Sequence, residues 1–302
     1  MELVEAERLL RWRRQQHGLG GQPQDFDWLL DLGGGLDWQQ LQRLLLDPCG
    51  AILLQRSRAD LAALWRRHLH DATPLQYLLG CCPWRNLQLK VAEAALIPRP
   101  ETELLPDLGL ALLDGLATTP GVWADLGTGS GCLAVALALA LPSWRGWAVD
   151  CSGAALALAA ANLRTAGVAE RVSLGSGDWW DALPATCPPL ALVLANPPYI
   201  PTQELARLEP LVRCHEPHLA LDGGVDGLHG VRAILQNALG FLAPGGALAM
   251  EHGAGQSKVV AALFRAAGLE AVTRHHDLEG KARFVSGRRP GRRCPNRAMT
   301  MC

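Results

Sequence analysis

Residues 190–195 of the chain read LALVLA, and residues 196–199, which follow directly, read NPPY. A short apolar run bounded by a proline turn predicts a buried β-strand that ends at Ala195. In an open α/β sheet, ligands bind in the crevice beyond the carboxyl ends of the strands. The polar and aromatic residues of the NPPY tetrapeptide are therefore expected to lie at a ligand site.

The NPPY tetrapeptide offers hydrogen-bond acceptors. Because each proline lacks a backbone N–H and has a fixed φ, the backbone carbonyls of Asn196 and Pro197 are left free to accept hydrogen bonds from a ligand. The side-chain oxygen of Asn196 beside a backbone carbonyl makes a pair of acceptors that suits an NH2 group, and Tyr199 could cover the flat face of that group. The alternative interpretation is a strand that ends in an ordinary proline turn with a buried tyrosine.

Strand-like and helix-like runs alternate on both sides of this strand. The predicted strands are Val122–Leu126, Gly146–Val149, Val172–Leu174, Leu190–Ala195 and a strand from Ala247. The predicted helices are Glu101–Leu116 and those that begin at Gly131, Ala154, Leu228 and Ser257. This alternation predicts an α/β fold with a doubly wound sheet. Two late strands, Ala271–Arg274 and Arg283–Ser286, are separated by a short glycine turn, which predicts an antiparallel edge strand.

The chain divides into four predicted segments. Residues 1–73 carry apolar residues at helical spacing, which predicts a small N-terminal domain of about four helices whose apolar faces form its own core or dock a partner. Residues 74–98 alternate over short stretches and favour a hairpin or an extended linker. Residues 99–289 hold the α/β domain. Residues 290–302 contain arginines and no acidic side chain, so we expect a disordered tail, with RNA or ribosome binding as the alternative.

Composition limits the class of protein. With 49% hydrophobic and 19% charged residues, the 302-residue chain is typical of a globular protein, and its formal net charge of -1 argues against stable nucleic-acid binding. Nine cysteines without a C-x-x-C pair, and an HEPH sequence at residues 215–218 that lacks the H-E-x-x-H spacing, predict neither a disulfide framework nor a metal site. The longest apolar run, Cys132–Leu141, is too short to span a membrane, and the start lacks a signal peptide, so we expect a cytoplasmic protein.

A glycine-rich turn follows the first predicted strand, where residues 125–131 read DLGTGSG. Glycines let the backbone approach a ligand closely and direct amide groups towards it. The dinucleotide fingerprint G-x-G-x-x-G would place its third glycine at position 132, which is Cys132 here. The shorter G-x-G-x-G turn suits a nucleoside without a pyrophosphate, and a plain connection between strand and helix is the alternative.

Acidic residues follow the next strands. Asp150 ends the second strand and is spaced as the acid that accepts both ribose hydroxyls of a nucleoside. Asp178 and Trp179 follow the third strand. The carboxylate of Asp178 could accept a hydrogen bond from the amino group of an adenine, and the indole of Trp179 could pack on the adenine ring. Either acid could otherwise be a helix cap. Glu251, after the fifth strand, is interpreted as a strand end rather than a catalytic acid.

With the glycine turn, the two acids and the NPPY tetrapeptide at four consecutive strand ends, the chain resembles the class I S-adenosylmethionine-dependent methyltransferases. The chain is also similar to the HemK/PrmC family in a set of further motifs. These are PLQYLLG at residues 74–80, LIPRPETE at residues 96–103, NPPYI at residues 196–200, EP at residues 216–217, DGG at residues 222–224 and DGL at residues 226–228. This resemblance implies a mostly parallel seven-stranded sheet, with S-adenosyl-L-methionine as cofactor and S-adenosyl-L-homocysteine as product. It also implies a role in translation termination.

Members of that family methylate the side-chain amide of the glutamine in the Gly-Gly-Gln motif of class I peptide chain release factors, so the resemblance implies these factors as partners and residues 1–73 as a substrate-recognition domain. Because NPPY alone is shared with enzymes that methylate amino groups of nucleic-acid bases, a DNA or RNA base methyltransferase is the alternative. A cofactor-binding scaffold without activity is a further rival, and intact motifs at every strand end argue against it.

The resemblance also assigns roles to residues, each of which is an expectation. The cofactor is expected to contact Gly127, Thr128, Gly129, Ser130, Gly131, Asp150, Asp178, Trp179 and Asn196. The glutamine amide is expected to contact Asn196, Pro197, Pro198 and Tyr199. Asn196, Pro197 and Tyr199 are expected to be catalytic, and Arg99–Glu103 is expected to lie near the cofactor and the target loop.

Overall fold

The computed structural model describes residues 1–113 and 120–291. The strands are β1 (Glu2–Glu5), β2 (Ala51–Leu54), β3 (Cys81–Trp84), β4 (Leu87–Lys90), β5 (Val122–Leu126), β6 (Arg145–Asp150), β7 (Val172–Ser176), β8 (Leu190–Ala195), β9 (Leu242–Glu251), β10 (Glu270–His276) and β11 (Ala282–Arg288). The helices are α1 (Ala6–His17), α2 (Pro23–Gly34), α3 (Trp38–Leu46), α4 (Arg58–Asp71), α5 (Leu75–Leu79), α6 (Leu104–Leu112), α7 (Cys132–Ala140), α8 (Gly153–Thr165), α9 (Pro210–Arg213), α10 (His218–Leu221), α11 (His229–Phe241) and α12 (Ser257–Ala266). None of the helices in the described ranges has the length and hydropathy needed to cross a membrane.

The chain divides into two compact units. The first unit is Met1–Cys81 with Glu209–His215, and the second is Cys82–Leu208 with Glu216–Cys302. The segment predicted as the N-terminal domain, residues 1–73, lies within the first unit. In the predicted arginine-rich tail, the residues from 292 onward lie outside the described part of the chain.

The first unit is built from α1–α5 and α9, together with a two-stranded ribbon of β1 and β2. The four helical patterns in the sequence correspond to α1–α4, whose apolar faces form one core. At its centre the rings of Phe26 and Trp65 meet edge to face, with 5.2 Å between their centroids. The ribbon, which pairs Leu3 with Leu53, was not predicted, because strands of four residues show too few alternations to be told from a helix start.

Local sequence signals set the limits of these helices. Helix α2 begins with Pro23 at its first turn and ends at Gly35, whose φ of +71° is the left-handed conformation that glycine adopts most easily. Helix α3 begins with a capping box in which Asp37 accepts the Gln40 N–H at 2.8 Å and Gln40 accepts the Asp37 N–H at 3.1 Å.

The second unit contains a seven-stranded sheet with the strand order β10-β11-β9-β8-β5-β6-β7. The pairs β5–β6, β5–β8, β6–β7 and β8–β9 are parallel, and β11 is antiparallel to both of its neighbours. The prediction of a doubly wound, mostly parallel sheet with an antiparallel strand at one edge is therefore confirmed. The reversed strand is β11, and β10 forms the outer edge beside it.

The central strands β5 and β8 are buried on both faces, as expected of parallel strands flanked by helices. Side chains alternate between two apolar cores: Trp123 and Leu192 lie on one face, and Ala124 and Val193 on the other. Helices α6, α7 and α8 contribute to the first core, and α11 and α12 contribute to the second. The result is a three-layer arrangement in which helices cover the central strands and the carboxyl ends of these strands remain open to ligands.

Most of the predicted strands agree with the structure, and β5 and β8 match residue by residue. Strand β9 begins at Leu242 rather than Ala247, because Leu242 pairs with Leu190 across a register irregularity that contains a proline and two glycines. The predicted helix from Glu101 begins instead as a 3₁₀ turn, Glu101–Glu103, before α6, and its predicted end lies outside the described residues.

Candidate active site

A cavity of about 510 Å³ lies in the second unit at the carboxyl ends of β5, β6, β7 and β8. Small-molecule sites are typically about 300–1,000 Å³ in volume. Most of the predicted site residues line the cavity: Gly127, Thr128, Gly129, Ser130, Asp150, Asp178, Trp179, Asn196 and Pro198. The three other predicted site residues, Gly131, Pro197 and Tyr199, are not part of the cavity lining.

The glycine turn between β5 and α7 is held against the end of β6. The N–H groups of Gly127 and Thr128 both donate to the carbonyl oxygen of Val149 at 2.9 Å. Gly127 has a φ of +76° and Gly129 a φ of +55°, which are left-handed values that a side chain would strain. The glycines thus let the turn fold over the strand end and line the cavity with backbone.

Gly131 packs closely against helix α8. Its φ is +83°, and a Cβ atom at this position would lie 3.0 Å from Cβ of Ala159 and 3.1 Å from its Cα. Ala159 is a fully buried residue of α8. The absence of a side chain at Gly131 therefore allows the glycine turn to contact the backbone of α8.

A buried carboxyl group, that of Asp125, contacts the glycine turn from the protein interior. Asp125 is fully buried at the end of β5, and the hydroxyl of Thr128 donates to its Oδ2 at 2.6 Å. Burial raises the pKa of Asp125 to about 7, and the hydrogen bond from Thr128 opposes that rise. The first residue of the DLGTGSG sequence is thus structural, because it ties the turn to the core.

Asp150 ends β6 and lines the cavity. Its Oδ2 accepts the N–H of Gly129 and its Oδ1 accepts the N–H of Ser152, each at 2.9 Å. A carboxylate oxygen can accept two hydrogen bonds, so each oxygen keeps one acceptor position. The backbone thus fixes the carboxylate with two adjacent acceptors, which suits a pair of neighbouring hydroxyl groups.

The tryptophans that follow Asp178 have different environments. Trp179 is half-buried, has a φ of +46° and lines the cavity, and its ring approaches the backbone of Gly127 and Gly230. Trp180 is buried, donates its Nε1–H to the carbonyl oxygen of Ile234 at 2.7 Å and stacks on a phenylalanine ring. The first indole is therefore available to a ligand, whereas the second belongs to the core. Asp178 lines the cavity and is exposed.

The side-chain amide of Asn196 is fixed by a chain of hydrogen bonds. Its Nδ2 donates to Oγ1 of Thr102 at 3.1 Å, and Oγ1 of Thr102 donates to Oε2 of Glu251 at 2.7 Å. Thr102 is 2% and Glu251 1% exposed, so both lie in the interior. With Nδ2 engaged, Oδ1 is the free acceptor of the Asn196 amide.

Tyr199 lies on the other side of the same carboxyl group. Its hydroxyl contacts Oε1 of Glu251 at 3.5 Å, and burial, followed by the nearby Glu251, raises the pKa of the phenol above its usual value. Burial raises the pKa of Glu251 to about 7. The phenol of Tyr199 thus stays protonated at neutral pH and cannot serve as a base.

The backbone of the NPPY tetrapeptide is held by Gln256. Its Nε2 donates to the carbonyl oxygens of Tyr199 at 2.9 Å and Gly227 at 3.3 Å, and its Oε1 accepts the N–H of Gly253 at 2.8 Å. One side chain thus joins the tetrapeptide to the loop before α11 and to the end of β9. These bonds limit the motion of the turn that carries Asn196.

The LIPRPETE stretch is anchored by a third buried carboxyl group, that of Glu216. Arg99, which lines the cavity, forms an ion pair with Glu216 at 2.7 Å, and Glu216 also accepts the N–H of Ile97 at 3.2 Å. The side chain of Glu216 is 1% exposed. Arg99 is therefore held at the cavity wall, in the region that the resemblance placed near the cofactor.

Sequence reasoning placed Thr102 near the cofactor only as part of the Arg99–Glu103 stretch, and it assigned no role in the site to Glu251 or Gln256. Glu251 does end β9, as interpreted, and it does not line the cavity, but it contacts the residue that holds Asn196. An acid at the carboxyl end of a strand was the signal that identified Asp150, and the same signal was present at Glu251. Nothing in the pattern of the sequence pointed to Gln256, which lies before α12.

Comparison with solved structures identifies the fold. The hMettl16 catalytic domain in complex with the MAT2A 3'UTR hairpin 6 is similar with a TM-score of 0.54 and 14% identity, over 82% of this chain and 87% of that one. The delta-N METTL16 MTase domain is similar with a TM-score of 0.53 and 19% identity, over 71% of this chain and 95% of that one. At these identities the likeness establishes the methyltransferase fold alone.

Sequence comparison identifies the family. Residues 107–226 match the family model described as the methyltransferase small domain. Together, the fold and the cavity define an S-adenosylmethionine-dependent methyltransferase. The release factor glutamine methyltransferases of Prochlorococcus marinus and Synechocystis are 48% and 39% identical to the chain, each over 94% of this chain and 97% of the relative. The chain therefore belongs to the release factor glutamine methyltransferase family, as its motifs predicted.

Proposed function

We propose that the protein transfers a methyl group from S-adenosyl-L-methionine to the side-chain amide nitrogen of the glutamine in the Gly-Gly-Gln motif of class I peptide chain release factors. The named activity of relatives at 39% and 48% identity over nearly the whole chain supports this proposal. The observation that carries it is the Asn196 side-chain amide, which lines the cavity with its Nδ2 engaged by Thr102. Its free oxygen matches an N–H group of a substrate amide.

The residues of the cavity fit the cofactor. The two remaining acceptor positions on Asp150 suit the ribose hydroxyls, and the half-buried ring of Trp179 provides a flat surface for an adenine. The backbone of Gly127 and Gly129 lines the cavity without side chains that would obstruct the methionine end. When bound, the cofactor supplies an electrophilic methyl group on a positively charged sulfur. Asp178 is assigned to the adenine amino group.

The chemistry requires orientation more than a base. The lone pair of an amide nitrogen is delocalised into its carbonyl group, so the nitrogen is a weak nucleophile. Oδ1 of Asn196 and the carbonyl oxygen of Pro197 accept hydrogen bonds from the two N–H groups of the glutamine amide. These bonds orient the amide nitrogen and stabilise the positive charge that develops on it. Tyr199 covers the face of the amide, and Pro198 holds the turn rigid. After transfer the N-methylated amide is cationic and strongly acidic, so it releases one N–H proton to water, and no carboxylate base is needed in the tetrapeptide.

The partners follow from the substrate. A class I release factor presents the glutamine, and the first unit contributes to recognition of that protein. We propose that the protein does not bind nucleic acid stably, because its formal net charge is -1. We also propose that it is located in the cytoplasm.

The test is a transfer assay with methyl-labelled S-adenosyl-L-methionine. The full-length protein is incubated with a class I release factor, with the same factor in which the Gly-Gly-Gln glutamine is replaced by alanine, and with duplex and single-stranded nucleic acid. Label is expected on the wild-type factor alone. Label on DNA or RNA, and none on the factor, would establish the base methyltransferase alternative and overturn the proposal.

A further inference from the structure

We propose that Thr102 and Glu251 are positioning residues that fix the side-chain amide of Asn196 with its oxygen, rather than its nitrogen, towards the substrate. This inference rests on the proposed function. Neither residue contacts the Asn196 oxygen, so each acts through the orientation of the amide.

The orientation follows from a count of hydrogens. The hydroxyl of Thr102 has one hydrogen and two acceptor positions. The ionised carboxylate of Glu251, which predominates above pH 7, has no hydrogen, so in that form the hydroxyl is the donor at the 2.7 Å contact. Towards Asn196, 3.1 Å away, the same oxygen can then only accept. The group of Asn196 that faces Thr102 is therefore the NH2 group.

The opposite orientation would disable the site. If the Thr102 hydroxyl had no acceptor at Glu251, it could donate to Oδ1 of Asn196, and the amide would turn through half a rotation. Nδ2 would then face the substrate, with two N–H donors opposed to the N–H donors of a glutamine amide. The two arrangements have the same shape, so packing alone does not select between them, and the hydrogen-bond chain does.

The hydrogen bonds that join Asn196, Thr102 and Glu251 are buried, which strengthens the preference for one orientation of the Asn196 amide. Thr102 and Glu251 are almost fully inaccessible to solvent, so water cannot replace a hydrogen bond that either residue loses. Other groups near the Glu251 carboxyl are Tyr199, Glu101 and Arg283, of which Arg283 favours the ionised form and Glu101 opposes it. Arg283 is itself paired with Glu101 at 3.6 Å and with Asp277 at 3.3 Å.

Two pairs of variants test the inference in the full-length protein. Thr102→Val keeps the shape of the side chain and removes the hydroxyl, whereas Thr102→Ser keeps the hydroxyl. Glu251→Leu removes the acceptor, whereas Glu251→Gln keeps an acceptor oxygen for Thr102. Thr273→Val, at an exposed threonine of β10, is the matched control for the loss of a hydroxyl.

We expect Thr102→Val and Glu251→Leu each to lower kcat by roughly 10–100-fold, with the Kd for S-adenosyl-L-methionine changed less than about 3-fold. Thr102→Ser and Glu251→Gln should restore most of kcat, and Thr273→Val should match the wild type. The double variant, Thr102→Val with Glu251→Leu, should be no slower than the slower single variant, because both substitutions act through one amide. Equal losses in the conservative and non-conservative variants, or losses of kcat matched by losses of cofactor affinity, would overturn the inference.

A spectroscopic readout tests the hydrogen bonds without any release factor. In protein labelled with ¹⁵N-asparagine, the side-chain NH2 signal of Asn196 is assigned by its absence in Asn196→Ala. Thr102→Val should shift this signal and Thr102→Ser should restore it; an unchanged signal in Thr102→Val would refute the hydrogen-bond chain. A wild-type protein that methylates no release factor would instead refute the proposed function, so the two failures are distinguishable.

Discussion

Replacement of Gly131 by alanine should destabilise the fold through two effects that the structure separates. The left-handed φ of +83° costs a non-glycine residue about 1–2 kcal/mol. The new Cβ atom would also lie 3.0 and 3.1 Å from Cβ and Cα of Ala159, a buried residue of α8 whose Cα and Cβ cannot rotate away, and overpacking of this kind costs about 1–3 kcal/mol. The expected loss is about 2–5 kcal/mol in total.

Two other glycines provide matched controls. Gly167 has a φ of +70°, but a Cβ atom added there would have nothing within 4 Å, so Gly167→Ala should show the conformational cost alone. Gly153, in the first turn of α8, has open space and no left-handed φ, so Gly153→Ala should be neutral or slightly stabilising. The difference between Gly131→Ala and Gly167→Ala then reports the contact with Ala159.

Thermal unfolding followed by circular dichroism measures all three variants. Gly131→Ala should lower Tm by about 5–15 °C, and Gly167→Ala by only about half as much or less. Calorimetry should also show weaker binding of S-adenosyl-L-methionine to Gly131→Ala, because the glycine turn must move. A Gly131→Ala protein no less stable than Gly167→Ala would refute the account of Gly131 as a packing glycine.

Three further predictions concern the site. Asn196→Ala should lower kcat by roughly 10²–10³-fold while the calorimetric Kd for the cofactor changes little; lost cofactor binding with turnover retained would contradict its role. Trp179→Ala should weaken cofactor binding with little change in Tm, whereas Trp180→Ala should cost about 3–5 kcal/mol of stability, and the reverse outcome would show that the two indoles were misassigned. The pKa of Asp125 and of Glu251 is about 7 in the folded protein and lower when unfolded, so the stability that each contributes is present at acidic pH and is lost as the pH rises through 7. From pH 5 to pH 8, melting curves should therefore show that the free energy of unfolding of the wild type falls by up to about 3 kcal/mol relative to that of Glu251→Gln. If the stabilities of the two proteins changed equally with pH, the raised pKa of Glu251 would be contradicted.

The sheet was predictable because its strands are buried on both faces and therefore form apolar runs. Val122–Leu126 and Leu190–Ala195 are bounded by a glycine turn and a proline turn, so their ends could be read to the residue. The cavity followed from the same reasoning, since parallel strands bring their carboxyl ends to one edge of the sheet.

The rest depended on contacts between distant parts of the chain. Thr102 and Glu251 are 149 residues apart in sequence, and only the fold shows that one hydroxyl joins the Glu251 carboxyl to Asn196. The contact of Gly131 with the cofactor stays a prediction, whereas its packing against Ala159 could not be predicted, because a left-handed glycine can serve either a ligand or a packed helix. The pattern of a sequence does not distinguish these two uses.

The central claim is that the acceptor of the methyl group is one particular amide nitrogen. The most direct measurement is tandem mass spectrometry of a class I release factor after incubation with the protein and S-adenosyl-L-methionine. We expect a single added methyl group on the glutamine side chain of the Gly-Gly-Gln peptide, formed roughly 10²–10³-fold more slowly when Asn196→Ala replaces the wild-type enzyme. A methyl group on another residue, or an unmodified peptide alongside methylated nucleic acid, would contradict it.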